Sequence, residues 1–195
     1  MQTTANTTKM KRISLSSIAA ATAGVLYSCR WIWEWSEGIV KNKSYPPNFV
    51  TQNFFFIKVL FIIALAGVLQ KNSNKPKIRI TLLMCVLGLA WTAVTRTLEA
   101  YGAKGPWGFY STPGVILFFT GLIATAKALM KDHPYNGVDK ILLAIASFYL
   151  LGSLSSMVLF NILGRDATAN QIGSAVANVF LIVEGFSWIY LARKL

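Results

Sequence analysis

Apolar residues run along this chain in long stretches separated by short polar connections, with no sustained two-residue alternation. Six stretches stand out, at about 13–33, 53–70, 79–101, 112–130, 139–163 and 170–192. A hydrocarbon core about 30 Å thick takes about 20 helical residues to cross, so each stretch predicts a membrane-spanning helix. The connections KNSNKPK (71–77), GAKGPWGFYSTPG (102–114), KDHPYNG (131–137) and GRDATAN (164–170) collect the turn formers where the apolar runs stop. Lipid admits only helices or closed barrels, and these unbroken runs lack the alternation a barrel needs. The expected fold class is therefore all-α: a polytopic membrane protein, a bundle of six transmembrane helices. Residues 1–12 read as a cytoplasmic basic tail and 13–195 as a single six-helix transmembrane domain.

Composition agrees with that reading. Of 195 residues, 54% are hydrophobic and 13% charged, against roughly 45–50% and 25% in soluble domains. The net charge of +12 raises nucleic acid as a partner, but the basic residues fall in short clusters between apolar runs. Nucleic acid is excluded on that placement, and the lipid bilayer is the expected surrounding. Alternate connections differ in charge. Lys9, Lys11, Arg12, Lys71, Lys75, Lys77, Arg79, Lys127, Lys131, Lys140, Arg193 and Lys194 fall on one side. Arg30, Lys41, Lys43, Arg96, Lys104 and Arg165 fall on the other. By the positive-inside rule both termini are expected in the cytoplasm.

Two local patterns leave alternatives open. KMKRISLSSIAAATAG followed by LYSC resembles a cleaved signal or lipoprotein anchor, although Tyr27 fits a lipobox poorly and the apolar run continues into RWIWEW. TLLMCVLGLAWTAVTRTLEAYG (81–102) and ILLAIASFYLLGSLSSMVLFNILG (141–164) share a Leu-Leu start and a Gly end. They suggest three repeated helical hairpins, or the composition common to any apolar helix.

Candidate chemistry rests on the few charges within these runs. Glu184 lies nine residues before Arg193, roughly 13 Å along a helix and close to mid-membrane. A charge there costs about 2.5–3.5 kcal/mol on insertion scales, so such a group faces the bundle interior, paired or protonated, and marks a ligand or proton route. The alternative is an acid held to a neighbouring helix for structure alone. Lys58 in FFFIKVLF is the candidate partner, unless it snorkels to the outer surface. Arg30 with Glu34 and Arg96 with Glu99 are spaced to pair on one helix face near the outer boundary. Trp31, Trp33, Trp35, Trp107, Phe109 and Tyr110 surround them in sequence. Together they form either an interfacial aromatic belt with ion pairs or a vestibule leading to Glu184, to which Asn161 would add an amide. Ala19, Ala23, Ala20 and Gly24 are spaced for close helix contact, within the bundle or with a partner membrane subunit.

Cys29 and Cys85 define no disulfide framework, and the single histidine, His133, excludes bis-histidine haem. No cofactor or metal is expected. No nucleotide-binding, hydrolase or metalloprotease motif is present, and nothing in the chain favours an enzyme over a binding protein. Three functions fit these observations. The first is a small transporter, or the membrane-embedded substrate-binding subunit of one, taking a small-molecule or lipid ligand past Glu184. The second is a membrane-embedded isomerase or cyclase acting on a lipid or isoprenoid, with Glu184 or Glu99 as general acid. The third is a structural or assembly subunit of a membrane complex.

Overall fold

The computed structural model describes residues 14–36, 48–102, 105–132, 137–163 and 167–195. Among them the chain forms six helices and no strand: α1 (Leu15–Glu34), α2 (Asn48–Lys71), α3 (Pro76–Ala100), α4 (Trp107–Asp132), α5 (Val138–Leu163) and α6 (Ala167–Ala192). Five of these, α2 to α6, are long and apolar enough to cross a membrane. In α1 the serines, Thr22 and Arg30 dilute an otherwise apolar run.

Local chemistry sets the boundaries. Ser14 caps α1, its hydroxyl accepting from the Ser17 N–H at 3.1 Å. Pro76 opens α3 in the first turn, where a missing N–H is harmless. Beyond α3, Gly102 takes φ +79° and its N–H bonds the Glu99 carbonyl at 3.0 Å, closing the helix end. The largest departure from the hydrophobic pattern is α4, which starts at Trp107 instead of 112. The Pro106 carbonyl accepts from the N–H groups of Phe109 and Tyr110, so this proline begins a helix. Pro113 lies inside α4; being in its second turn, it denies a partner only to the Phe109 carbonyl of the exposed first turn.

Each helix packs on its neighbours in sequence, and α1 returns against α6 to close a ring. Ser17 meets the Ala192 carbonyl, Gly24 meets Gly185, and Ser28 meets the Ile182 carbonyl, so α1 and α6 run antiparallel in continuous register. Of the small residues predicted to permit close contact, Gly24 lies in this seam. Ala19, Ala20 and Ala23 are buried, and a Cβ on Gly24 would fall 2.5 Å from the Gly185 carbonyl oxygen. The α3–α4 pair is equally close: a Cβ on Gly88 would fall 2.5 Å from the Gly114 carbonyl oxygen. A bond from the Thr125 hydroxyl to that of Thr81, at 2.8 Å, ties the same pair. Backbone approach of this kind and interior hydrogen bonds hold helices together where lipid removes the hydrophobic drive. α1 packs more extensively on α6 than on α2, so the three hairpins are not packed alike.

Polarity is inverted relative to a soluble bundle. Phe56, Ile80, Leu87, Val94, Ile116, Val158, Val179 and Phe186 are exposed around the outside. Lys58, Thr92, Thr125, Asn178 and Glu184 are buried within. An exposed apolar surface this extensive is stable only in lipid, so the protein is a multi-pass membrane protein. The basic residues at the C-terminal ends of α2, α4 and α6 and the N-terminal ends of α3 and α5 share one end of the ring, where Lys75 pairs with Asp132 at 3.3 Å.

Substitution at the glycine seams should be costly. Gly88→Val is expected to lower the thermal midpoint of the detergent-solubilised protein, since overpacking against backbone costs about 1–3 kcal/mol or more. Ala66→Val, on the exposed face of α2, should leave the midpoint unchanged.

Candidate functional site

The site is assembled from one face each of α1, α2 and α6. On α6, Glu184 and Trp188 are one turn apart, and the Trp188 indole N–H donates to Glu184 Oε1 at 3.3 Å. On α1, the Tyr27 hydroxyl donates to Glu184 Oε2 at 2.9 Å. Both carboxylate oxygens therefore accept a hydrogen bond from an aromatic side chain, and Glu184 is only 2% exposed. The donors are themselves fixed. Phe61 of α2 stacks on Trp188 with centroids 4.1 Å apart, and Tyr27 meets Phe61 edge-on at 5.5 Å. Tyr149 of α5 is close enough for its hydroxyl to interact electrostatically with Glu184 and Tyr27.

Lys58 lies on the same inward face of α2, one turn beyond Phe54, and is 6% exposed. It is turned into the ring, not out to the surface. Its charge acts on Glu184, but no ion pair within 4.0 Å joins them among the described residues. Its ammonium instead sits 4.7 Å over the centre of the Phe54 ring. Arg30 of α1 uses the same ring, its guanidinium carbon 4.2 Å from that centre and 4.6 Å from the Trp31 ring. Cation–π contacts of this kind are stronger when desolvated. Two cations from two helices thus converge on one phenylalanine, with Tyr27 stacked against its ring at 6.3 Å.

The outer pairs predicted from spacing both form, in different surroundings. Arg30 and Glu34 lie 3.6 Å apart and half-buried. Arg30 Nε and Glu34 Oε2 are buried without a hydrogen-bond partner. The Trp31 indole nitrogen makes no bond of good geometry either, although it lies near enough to the Tyr27 hydroxyl to act on it. Arg96 and Glu99 bond at 2.6 Å on an exposed face of α3, and the Arg96 charge reaches Lys58 and Arg30. Trp35, Phe109 and Tyr110 are exposed rather than gathered around these pairs. The side chains of Asn161 and Trp107, and His133 altogether, lie outside the described residues.

Three participants escaped the sequence reading. Trp188 was available from its one-turn spacing to Glu184. Tyr27 and Phe54 were not, because their roles depend on which helices are neighbours. Comparison of the chain with family models, curated proteins and solved structures found no match, so the site is read from its own geometry.

Removing the Tyr27 hydroxyl leaves one oxygen of a buried carboxylate without its donor. Tyr27→Phe is expected to destabilise the protein by about 1–3 kcal/mol in chemical unfolding from micelles. Tyr190→Phe, at an exposed tyrosine, is the matched control and should have no effect.

Proposed function

We propose that this protein is a six-span membrane transporter, or the membrane-embedded substrate-binding subunit of one, with Glu184 on the route of its ligand or of a coupled proton. The observation that carries this reading is the placement of Glu184. It is buried deep inside a closed ring of helices, held by Tyr27 and Trp188 and facing a buried lysine. A structural acid would need neither a second charge beside it nor a succession of polar groups leading away from it. Intramembrane ionisable groups that face the bundle interior are the usual means of carrying ions, protons and polar substrates. Aromatic walls with a few fixed polar groups are the usual form of a small-ligand site.

Six spans follow from taking α1 with the other five, a choice supported by its antiparallel register along α6 from Ser17 to Ser28. The basic end of the ring faces the cytoplasm by the positive-inside rule, which puts both termini there. The cell membrane is the proposed location.

Glu184→Gln preserves shape and one acceptor while removing the charge. Vesicles containing the wild-type protein, offered a panel of labelled small solutes, are expected to accumulate at least one that Glu184→Gln vesicles do not, at equal protein abundance. Identical uptake profiles for the two proteins would overturn the proposal.

A further inference from the structure

We infer that the outer half of this site binds an oxyanion, the carboxylate or phosphate of a ligand with an apolar body, at Lys58 and Arg30. The inference deepens the proposed function, since it rests on reading the path to Glu184 as a ligand route, and it names the chemistry of what travels there.

The argument begins with an imbalance of donors. Lys58 is 94% buried by its 6% exposure, and among the described residues its ammonium has no hydrogen-bond acceptor and no ion pair. The candidate acceptor, Glu184, is turned to Tyr27 and Trp188, one on each oxygen, and makes no ion pair with Lys58 among the described residues. Arg30 adds a buried Nε–H with no acceptor among the described residues, and the carboxylate one turn on, Glu34, stands at 3.6 Å, beyond hydrogen-bond distance. Because both cations lie over the same Phe54 ring, at 4.2 and 4.7 Å from its centre, they are separated by less than the sum of those distances. Arg96, itself paired with Glu99, adds a positive field from α3, while Glu184 and Glu34 act on the two cations with the opposite sign without hydrogen-bonding either. Like charges held this close away from water repel, and cation–π contact offers them attraction but no acceptor.

An oxyanion meets both cationic donors at once, and leaves the unbonded Glu34 oxygen to its ion pair with Arg30. Its oxygens accept from the Lys58 ammonium and from Arg30 Nε–H, and its charge offsets the mutual repulsion. Charge-assisted bonds of this type are roughly twice as strong as neutral ones. Phe54, Tyr27 and Trp31 provide aromatic surface for an apolar body beside the charged group. A second cation is the ligand least suited to the place. The oxyanion can arrive from either of two sources, a soluble carboxylate or phosphate, or the headgroup of an anionic lipid.

The test uses the full-length protein. Thermal unfolding is followed in lipid-free detergent with inorganic phosphate and with phenylacetate, and in phosphatidylcholine nanodiscs with and without phosphatidylglycerol. The wild type is expected to gain several degrees, saturably, with at least one oxyanion. A response to phenylacetate or phosphate identifies a soluble ligand, and one confined to phosphatidylglycerol identifies a lipid headgroup. Lys58→Met, which keeps the length of the side chain, is expected to fold with an unliganded midpoint no lower than wild type, because it removes an unbonded buried charge. Its apparent affinity for the oxyanion should fall roughly 30-fold or more, the lower range for losing one member of a buried charged hydrogen bond. Lys58→Arg should keep the response, and Lys127→Met, at an exposed lysine, should be indistinguishable from wild type. If Lys58→Met does not fold, Lys58→Gln is judged by the same criteria. No response of the wild type to any oxyanion, or an undiminished response in the Lys58 variant, overturns the inference. Failure here with solute uptake still lost in Glu184→Gln leaves the route and removes the anion; the reverse result leaves the anion site and removes Glu184 from the route.

Discussion

A carboxylate midway along a helix whose outer face meets hydrocarbon has to be satisfied from within the chain, and Glu184 is satisfied by two aromatic donors of different origin. Trp188 is supplied by α6 itself, one turn away, as a consequence of helical spacing. Tyr27 comes from α1, 157 residues earlier. A hydroxyl on a rigid side chain meets a fixed acceptor on another helix only if the separation of the two axes is fixed. The α1–α6 seam therefore brings Gly24 against Gly185, and Gly24 has no room for a Cβ. The glycine contact, the closure of the ring and the coordination of the acid are one requirement expressed at three levels.

The same requirement separates the interior polar groups into two kinds. Thr81 with Thr125, and Ser28 with the Ile182 carbonyl, are satisfied pairs that fasten one helix to the next. Interhelical bonds like these are worth about 0.6 kcal/mol each in a membrane, enough in number to define the packing. Lys58 joins no helix to another by a hydrogen bond or ion pair among the described residues. It is buried on α2 beside a ring shared with Arg30, and replacing it with an apolar residue would leave every interhelical hydrogen bond described here intact. A charged group that the fold does not use is kept at a cost to stability, which sets it apart from the structural threonines and directs attention to a ligand.

Much of the architecture was legible in the sequence because membrane helices are signalled by unbroken apolar length. Six helices followed from that signal, five of them long and apolar enough to cross a membrane, and Glu184 stood out as a lone acid in an apolar run. Arg30 with Glu34 and Arg96 with Glu99 followed from spacing on a single helix. Spacing fixes who shares a face and says nothing of what that face looks at, so the two pairs read alike and prove different, one half-buried and one exposed. The start of α4 was hidden because Pro106 and Pro113 look the same in sequence, though the first begins the helix and the second lies within it. Tyr27 and Phe54 were illegible for a deeper reason: their partners are set by ring closure, which no local pattern encodes.

Along α1 the residues Tyr27, Arg30, Trp31 and Glu34 recur at three- and four-residue intervals, on one face rising about 10 Å toward the helix end. Tyr27 touches the acid, Arg30 touches the shared Phe54 ring, and Glu34 lies beside Arg30 in the last turn of the helix. A group entering from that end would meet first a half-buried ion pair, then two cations over an aromatic ring, and last the carboxylate with its two donors. α1 is thus both the one described helix outside the five long and apolar enough to cross a membrane and a carrier of polar groups along this path, and the two properties have one origin. Loss of residues 1–28 by processing at Cys29 would take away Tyr27 and Gly24 of the seam, leaving Glu184 with only the donor from its own helix. The residues that weaken α1 as a membrane span are those that make it the wall of the site.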